Sequence, residues 1–266
     1  MRSQSIPSSA GRTDMTKVFI VTGGNSGVGK ELVKILYQHN AHVWIATRSQ
    51  GRTEEAIAEI QGLYPNSTGQ LFFLKLELDD LSTIKASAQQ FLSQEARLDV
   101  IWNNAGVMIP PQGSKTVQGF ELQQGTNVLG HFLFVRFLTP LLIETARSAP
   151  RNSVRIVWVS SMSADFAPRP AIDFSNMDYH VDEDAMTKYN RSKTGNLLHA
   201  LEFSRRYPDS GIISTVSLVA INPSILLRSH MLTTFPVTQS RAVEDQLATA
   251  LSYITESHGG ELIILP

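Results

Sequence analysis

A glycine-rich stretch near the start of the sequence, Thr-Gly-Gly-Asn-Ser-Gly-Val-Gly-Lys at 22–30, has the composition of a phosphate-binding turn. It follows a short apolar, β-branched run at 18–21, which is typical of a buried parallel strand. Apolar residues at helical spacing come next, so a helix is predicted to begin near Val28. Such a turn gathers free backbone N–H groups at the positive end of a helix dipole, and its glycines let the backbone approach a diphosphate closely. The order strand, turn, helix therefore predicts a nucleotide site rather than an ordinary glycine-rich loop.

Three further groups of polar residues could carry chemistry. Tyr189 and Lys193 are four residues apart and share one face of a predicted helix. Asn127 stands inside a long apolar helical pattern, where an amide is costly unless it is hydrogen-bonded. It is either a satisfied core residue or part of an active-site relay. The Asn-Asn-Ala-Gly turn at 103–106 follows a predicted strand, and it either contacts an adenosine ribose or is simply a turn.

The end of the second predicted strand bears on the choice of cofactor. A site for NAD usually places Asp or Glu there, to accept both ribose hydroxyls of the adenosine half. This chain has Arg48 instead and no acid, with Arg52 and Lys30 close in sequence. A guanidinium can pair with a 2′-phosphate, so NADP(H) is expected. The alternative is a solvated surface arginine.

Strand-like and helix-like segments alternate along the chain. This alternation would place the candidate site residues along one edge of a parallel sheet. The pattern predicts an α/β protein with a single-domain Rossmann fold, a doubly wound parallel sheet of about seven strands with helices on both faces. The predicted strands are 18–21, 42–47, 71–76, 98–102, 154–159, 212–220 and 262–265. The first predicted helix begins near residue 28, and the other predicted helices cover 54–64, 81–96, 120–149, 185–207 and 243–257. The domain is expected to span 17–266, after a disordered tail at 1–16.

The composition excludes several classes of protein. The 266 residues are 42% hydrophobic and 18% charged, which suits a large folded core and not a disordered chain. The formal net charge of -1 gives no electrostatic sign of nucleic-acid binding. The absence of cysteine rules out disulfides, thiolate catalysis and cysteine metal sites, and it fits a cytoplasmic protein. The seven histidines do not cluster, so no metal site is expected.

No membrane span is expected. Residues 1–16 lack the apolar core of a signal peptide. The longest apolar segment, 132–143, is interrupted by Arg136 and Pro140, and it is predicted to be a buried helix.

Taken together, the motifs resemble those of the short-chain dehydrogenase/reductase family, from about residue 17 onward. The resemblance rests on the TGxxxGxG turn, the Asn-Asn-Ala-Gly turn, Asn127, Ser161 and the Tyr189-x-x-x-Lys193 pair, all in the family's order. Each element is common singly, but each falls here at the end of a predicted strand or on the appropriate helix. Residues 120–142 resemble the retinol-dehydrogenase-like and fungal secondary-metabolism branches.

The resemblance implies a role for each of these residues. Tyr189 would be the acid/base, and Lys193 would lower its pKa, together with the positive nicotinamide, from the ordinary value of about 10. Lys193 would also bind the nicotinamide ribose, and Ser161 would donate a hydrogen bond to the substrate oxygen. Asn127 would hold a water that links Lys193 to solvent. The implied cofactor contacts are Gly23, Asn25, Ser26, Gly27, Val28, Gly29, Arg48, Glu77, Leu78, Asn104, Ala105, Gly106, Tyr189, Lys193, Pro223 and Ile225.

Three features depart from the family pattern. Glu77 stands where the family usually has Asp, with Leu78 supplying a backbone contact to adenine. Ser224 replaces the glycine of the usual Pro-Gly, where the backbone passes close to the nicotinamide. The segment 225–240 is short for a substrate lid, which implies either an open site for a bulky substrate or completion by a partner chain.

These observations predict an NADP(H)-dependent oxidoreductase that interconverts a ketone or aldehyde and an alcohol on a hydrophobic small molecule, such as a secondary metabolite or a lipid-like compound. Reduction is the expected direction, because cells keep the NADPH pool reduced. Two alternatives retain the fold: a noncatalytic NADP(H)-binding module, or an enzyme with another reaction such as a cyclisation. Family members often assemble through the two long helices, so a homodimer or homotetramer is expected.

Overall fold

Six parallel strands form one sheet in residues 17–219, the part of the chain that the computed structural model describes. The strands are β1 (Val18–Thr22), β2 (His42–Thr47), β3 (Gln70–Lys75), β4 (Val100–Asn103), β5 (Arg155–Ser161) and β6 (Ile213–Val219). Their order is β3-β2-β1-β4-β5-β6, and all neighbouring pairs are parallel. The direction of winding changes between β1 and β4, which opens a crevice beyond the carboxyl ends of these two strands.

Helices cover both faces of the sheet. They are α1 (Gly27–Gln38), α2 (Gln50–Leu63), α3 (Leu81–Leu92), the single turn α4 (Leu122–Gln124), α5 (His131–Ser148) and α6 (Ala185–Arg206). One face packs against α1 and α2 through residues such as Val33 and Ile60, and the other against α3, α5 and α6 through Phe91, Phe134 and Ala200. The predicted doubly wound α/β fold is therefore confirmed, with six strands in the described range.

Local sequence explains where these helices begin. The side chains of Asp80 and Asp184 accept hydrogen bonds from backbone N–H groups in the first turns of α3 and α6. Ser49 does the same for α2, accepting from Arg52 N at 3.5 Å. Each cap satisfies an N–H group that has no partner within its own helix, so the helix start is fixed where the preceding strand ends.

Several element bounds differ from the prediction. Helix α2 begins at Gln50 rather than at residue 54, and α3 ends at Leu92 rather than at residue 96. Strand β3 lies one residue earlier than predicted, and β5 extends through Ser160 and Ser161 instead of ending before them. Ser161 is therefore the last residue of β5, at the carboxyl end of the sheet, and its position is set by pairing with β6.

The prediction of one continuous helix over 120–149 is wrong in the middle of that range. A π-helix at Gly125–Gly130 separates α4 from α5. A π-turn inserts one extra residue per turn and is common at functional sites. Asn127 lies within this π-helix.

One helical segment in the described range, Leu122–Ser148, is long and apolar enough to cross a membrane by composition alone. Fifty-six per cent of its most apolar window is buried inside the protein, as in a core helix. The predicted tail at 1–16, the last helix and the seventh strand lie outside the described residues, as do Pro223, Ser224 and Ile225.

Candidate functional site

The glycine-rich turn between β1 and α1 forms one side of the candidate site. Gly23 and Gly27 have φ angles of +67° and +53°, in the left-handed region that favours glycine. A Cβ at Gly29 would lie 2.4 Å from the carbonyl oxygen of Gly23, so a side chain there would push the turn apart. The turn is therefore built for close passage of the backbone, as the sequence predicts for a diphosphate site.

A cavity of about 380 Å³ lies against this turn at the carboxyl edge of the sheet. Ten of the predicted cofactor contacts line it: Gly23, Asn25, Ser26, Val28, Gly29, Arg48, Leu78, Asn104, Ala105 and Gly106. The structure thus brings together residues from four separate strand ends. The other predicted contacts in the described range, Gly27, Glu77, Tyr189 and Lys193, are not in the lining.

The side chain of Glu77 pairs with a lysine, whereas the sequence implies that it contacts the cofactor. Its carboxylate lies 2.5 Å from Lys75 Nζ, beside the cavity and not in it. Asp79, two residues on, lines the cavity instead. Glu77 as a cofactor contact is therefore not supported by its placement, because Asp79 and not Glu77 faces the cavity in the turn after β3.

Arg48 lies at the end of the cavity where β2 ends, together with Ser49 and Arg52. Arg48 is more than half exposed, and its guanidinium lies 3.3 Å from the Asp79 carboxylate. Lys30, which the sequence places near this group, pairs with Glu59 instead and does not line the cavity. Two cationic side chains, Arg48 and Arg52, therefore lie at this end of the cavity, and the Asp79 carboxylate lies opposite Arg48.

The Asn-Asn-Ala-Gly turn is held against β1 by a single hydroxyl. Thr22 Oγ1 accepts hydrogen bonds from the backbone N–H groups of Asn104 at 2.9 Å and Ala105 at 2.8 Å. Asn104 Nδ2 in turn donates to Thr22 O at 2.9 Å. These bonds fix the floor of the cavity, so the turn does more than reverse the chain.

Tyr189, Ser161 and Lys193 meet beside this cavity, at the end of β5. The Ser161 side chain acts on the Tyr189 hydroxyl and lowers its pKa. Lys193 Nζ lies 5.6 Å from the centre of the Tyr189 ring and donates to Val159 O at 3.1 Å. A Cβ built on Gly106 would lie 3.8 Å from the same Nζ, so the lysine reaches the cavity wall.

Burial shifts both pKa values of this pair. It raises the pKa of Tyr189, and the Ser161 side chain opposes that shift only in part. Burial also lowers the pKa of Lys193 to about 8. The protein alone therefore keeps the tyrosine protonated. The lowering of its pKa by Lys193 together with the positive nicotinamide stays a prediction.

Asn127 is fully buried, and all of its side-chain groups are used. Its Oδ1 accepts from Val107 N at 2.8 Å, while Nδ2 donates to Val107 O at 3.0 Å and to Ser192 Oγ at 3.0 Å. The amide therefore clamps the loop after β4 to α6, next to Lys193. This arrangement favours the interpretation of Asn127 as a core residue whose side chain is fully hydrogen-bonded. Only the backbone of the π-helix is then left to contact other groups.

Thr126 is a site residue that the sequence analysis missed. It lines the cavity, and its buried hydroxyl has no hydrogen-bond partner within the described range. An unsatisfied buried hydroxyl is uncommon in a folded protein and points to a missing partner. Only the π-helix presents Thr126 to the cavity, and the continuous apolar pattern of this segment carries no signal for it.

The loops after β4 and β5 are joined above the site. Gln112 Nε2 donates to the Asp182 carboxylate at 2.6 Å and to Glu183 O at 2.8 Å. Glu183 also forms a bidentate pair with Arg191 of α6, with both distances at 2.7 Å. The loop at 162–184 is therefore tied both to the other loop and to the helix that carries Tyr189.

Two histidines on the long helices, the buried His131 and the partly buried His199, give a testable dependence of stability on pH. Burial lowers the pKa of His131 to about 3 and that of His199 to about 4, from an ordinary value near 6.5. The unfolded chain therefore binds more protons below about pH 6.5, so stability falls as the pH drops from 6.5 toward those lower values. We expect the free energy of unfolding in urea to decrease between about pH 6.5 and 5, where ordinary carboxylates stay ionised. A His199→Phe variant should show a shallower decrease, and an unchanged slope would contradict the assignment.

The outer face of α5 and α6 carries a second, apolar cavity of about 360 Å³. His199 stacks between Phe132 and Trp158, at centroid distances of 5.3 and 4.9 Å. Phe132 is 41% exposed at the rim, near Arg136 and Arg206. This cavity lies on the two helices that the sequence analysis expects at a subunit contact.

The family model for short chain dehydrogenases matches residues 17–172. A short-chain dehydrogenase/reductase of Phomopsis amygdali is 50% identical over 212 residues, which are 79% of this chain and 62% of that protein. The short-chain dehydrogenase/reductase pkfC of Emericella nidulans is 52% identical over 211 residues, 79% of this chain and 66% of its own length. The chain thus spans just under two thirds of either relative. Both are fungal, as expected from residues 120–142.

Solved structures agree on the fold. An uncharacterised protein from Mycobacterium paratuberculosis superposes with a TM-score of 0.67 at 27% identity, covering 91% of this chain and 92% of that one. A short-chain dehydrogenase from Sphingobium yanoikuyae in complex with NADPH has a TM-score of 0.60 at 18% identity, covering 90% and 85% of the two chains. The chain therefore belongs to the short-chain dehydrogenase/reductase family.

Proposed function

We propose that this protein is an NADP(H)-dependent reductase that converts a ketone or aldehyde on a hydrophobic small molecule into an alcohol. The observation that carries the proposal is that Ser161, Tyr189 and Lys193 lie together, with Lys193 next to Gly106, which lines the cavity. Carbonyl reduction needs a hydride donor at the carbon and an acid at the oxygen, held in one geometry. These residues supply the acid side of that requirement.

The cavity fits a dinucleotide in three respects. The glycine-rich turn leaves room for a diphosphate, the unpartnered hydroxyl of Thr126 offers a hydrogen bond, and Arg48 with Arg52 offers positive charge at the ribose end. Asn104, Ala105 and Gly106, which line the cavity, would contact the adenosine ribose. The chemistry that the cofactor supplies when bound is a hydride for the carbonyl carbon.

The residues of the chain would handle the proton. Because burial raises the pKa of Tyr189, its hydroxyl is protonated at neutral pH and can donate a proton to the oxygen that becomes the alcohol. Ser161 would donate a hydrogen bond to the same oxygen. The Lys193 ammonium would stabilise the phenolate left behind and contact the nicotinamide ribose. A tyrosine that begins protonated favours reduction, the direction expected from the sequence.

Lys193 gives this proposal a pH dependence. Its pKa of about 8 lies below the ordinary value because the ammonium is buried, so the positive charge is present below pH 8 and is lost as the pH rises through it. We expect NADPH affinity and kcat/KM of the enzyme to decline above about pH 8. The same profile measured on Lys193→Gln should be low and flat across this range. A wild-type profile that stays level to pH 10 would contradict the role.

Apolar side chains beside the site support a hydrophobic substrate. Met162 and Phe166 follow Ser161 and are 54% and 73% exposed, while Met108 and Ile109, in the loop after β4, are 45% and 48% exposed. Exposed apolar residues gathered near a site often mark a ligand surface. The fungal relatives agree with a secondary-metabolite or lipid-like substrate, and a cytoplasmic location stays a prediction.

The apolar cavity on α5 and α6 supports a homodimer or homotetramer. We expect Phe132→Glu to shift the sedimentation coefficient toward that of the monomer, because a carboxylate in a buried apolar contact is strongly unfavourable. Leu63→Glu, at the 55% exposed end of α2, is the matched control because it also replaces an apolar side chain by one carboxylate. An unchanged distribution for Phe132→Glu would place any subunit contact elsewhere.

The first experiment is a fluorescence titration of the full chain with NADPH and with NADH. Saturable NADPH binding that is tighter than NADH binding supports the proposal, and the protein is then screened for oxidation of NADPH with a panel of bulky ketones and aldehydes. Tight binding without turnover on any carbonyl would favour the noncatalytic module. Binding of neither cofactor would overturn the proposed function.

A further inference from the structure

His131, the first residue of α5, links two parts of the site. It is 1% exposed, and both ring nitrogens have partners. Nε2 lies 3.0 Å from Thr22 Oγ1, and Nδ1 lies 3.2 Å from the backbone oxygen of Asn127. One ring therefore touches the strand end that carries the glycine-rich turn and the π-helix that carries Asn127.

The hydrogen bonds of Thr22 decide which nitrogen carries the proton. A hydroxyl has one proton and two acceptor lone pairs. Both lone pairs of Thr22 Oγ1 are taken, because it accepts from Asn104 N and Ala105 N. Nε2 therefore cannot donate to this oxygen. It is the nearer of the two described acceptors for the hydroxyl proton, at 3.0 Å against 3.2 Å for Trp102 O. The remaining ring proton lies on Nδ1 and is donated to Asn127 O.

We propose that His131 is a positioning residue: as the neutral Nδ1–H tautomer, it joins the turns that form the cofactor cavity to the π-helix that forms its neighbouring wall. The contact with Nε2 aims the Thr22 hydroxyl so that its lone pairs face the turn at 104 and 105. The contact at Nδ1 holds the carbonyl of Asn127, whose side chain clamps Val107 and Ser192. The expected effect on NADPH affinity rests on the proposed function, whereas the assignment of the tautomer does not.

The surroundings keep the ring neutral. Burial lowers the pKa of His131 to about 3, and the positive charges of Lys193 and of a protonated His199 act in the same direction. A doubly protonated ring would also present an N–H group to an oxygen that has no free lone pair. The described groups that face this ring are thus consistent with one protonation state across the range in which the enzyme would work.

The tautomer is tested directly on the unmodified full chain labelled with nitrogen-15 histidine. A heteronuclear correlation through the two-bond couplings of the ring distinguishes the protonated nitrogen from the bare one. The His131 signal is the one that disappears in His131→Gln. We expect a proton on Nδ1 and none on Nε2, the reverse of the tautomer that free neutral histidine prefers. A proton on Nε2, or on both nitrogens, would overturn the proposal whether or not the protein binds a cofactor.

The functional part is tested by NADPH titration of three variants. His131→Phe keeps the ring volume but removes both bonds, and we expect a Kd at least 10-fold weaker. His131→Gln, whose amide oxygen can accept from Thr22, should recover part of that loss. His199→Phe changes a partly buried histidine of α6 that has no described contact with Thr22, and this variant should lose thermal stability but keep the Kd of the unmodified protein. A folded His131→Phe with an unchanged Kd, or an equal loss in His199→Phe, would overturn the positioning role.

Discussion

Replacing Tyr189 by phenylalanine is expected to lower kcat for carbonyl reduction by about 100- to 10,000-fold, the usual contribution of a positioned general acid. The change removes only the hydroxyl whose pKa Ser161 lowers, and the half-buried ring beside Lys193 can stay in place. NADPH affinity should therefore change little. The measurement is steady-state turnover on a ketone found in the screen, beside a fluorescence titration of the same preparation.

A second tyrosine of the chain provides a matched control. Tyr179 also lies beside a lysine, with Lys188 Nζ 5.1 Å from its ring centre, and burial also raises its pKa. It is placed in the loop at 162–184, with no hydrogen bond to Ser161. We expect Tyr179→Phe to lower kcat far less than Tyr189→Phe. Equal losses in the two variants, or full turnover in Tyr189→Phe, would refute the assignment of the acid.

Replacing Arg48 by alanine is expected to weaken NADPH binding by about 10-fold while NADH binding hardly changes. A charge-assisted bond to a phosphate contributes roughly 1.5–3 kcal/mol, and the lower end applies because the Arg48 side chain is more than half exposed. The 2′-phosphate must also draw the guanidinium away from Asp79 at 3.3 Å. Asp79→Asn should therefore tighten NADPH binding, which makes the two variants move in opposite directions.

Glu77→Gln is the matched control for the acid, because Glu77 pairs with Lys75 beside the cavity and not inside it. Its NADPH affinity should equal that of the unmodified protein. Titrations at two salt concentrations complete the test, since an exposed phosphate contact weakens as salt rises. If Arg48→Ala loses NADPH and NADH affinity equally, the arginine supports the turn and does not select the cofactor.

The fold could be predicted from sequence because its signals are local and repeated. The buried strands are short apolar runs, and each is followed by a helical pattern or a turn, so the order of elements fixes the parallel sheet. The glycine-rich turn could be assigned for the same reason: the positive φ of Gly23 and the tight approach at Gly29 leave few other residues possible.

The parts that could not be predicted depend on small offsets in backbone position. The π-helix at Gly125–Gly130 has the same apolar spacing as the α-helix around it, yet it decides that Thr126 faces the cavity. Likewise Glu77 and Asp79 are both acids after β3, and only the path of the turn shows which one faces Arg48. The pKa of Tyr189 depends on burial as well as on its neighbours, and burial is a property of the whole fold.

The strand order has a consequence for how the chain reaches this structure. Strands β1, β2 and β3 lie side by side and are contiguous in sequence, so they can pair soon after synthesis. The other side of β1 must wait for β4, whose Val100 pairs with Phe19 from 81 residues earlier. Contacts between such distant positions form slowly. Until then the apolar edge of β1 is open to other nascent chains, which makes this interval the time when the protein is most exposed to aggregation.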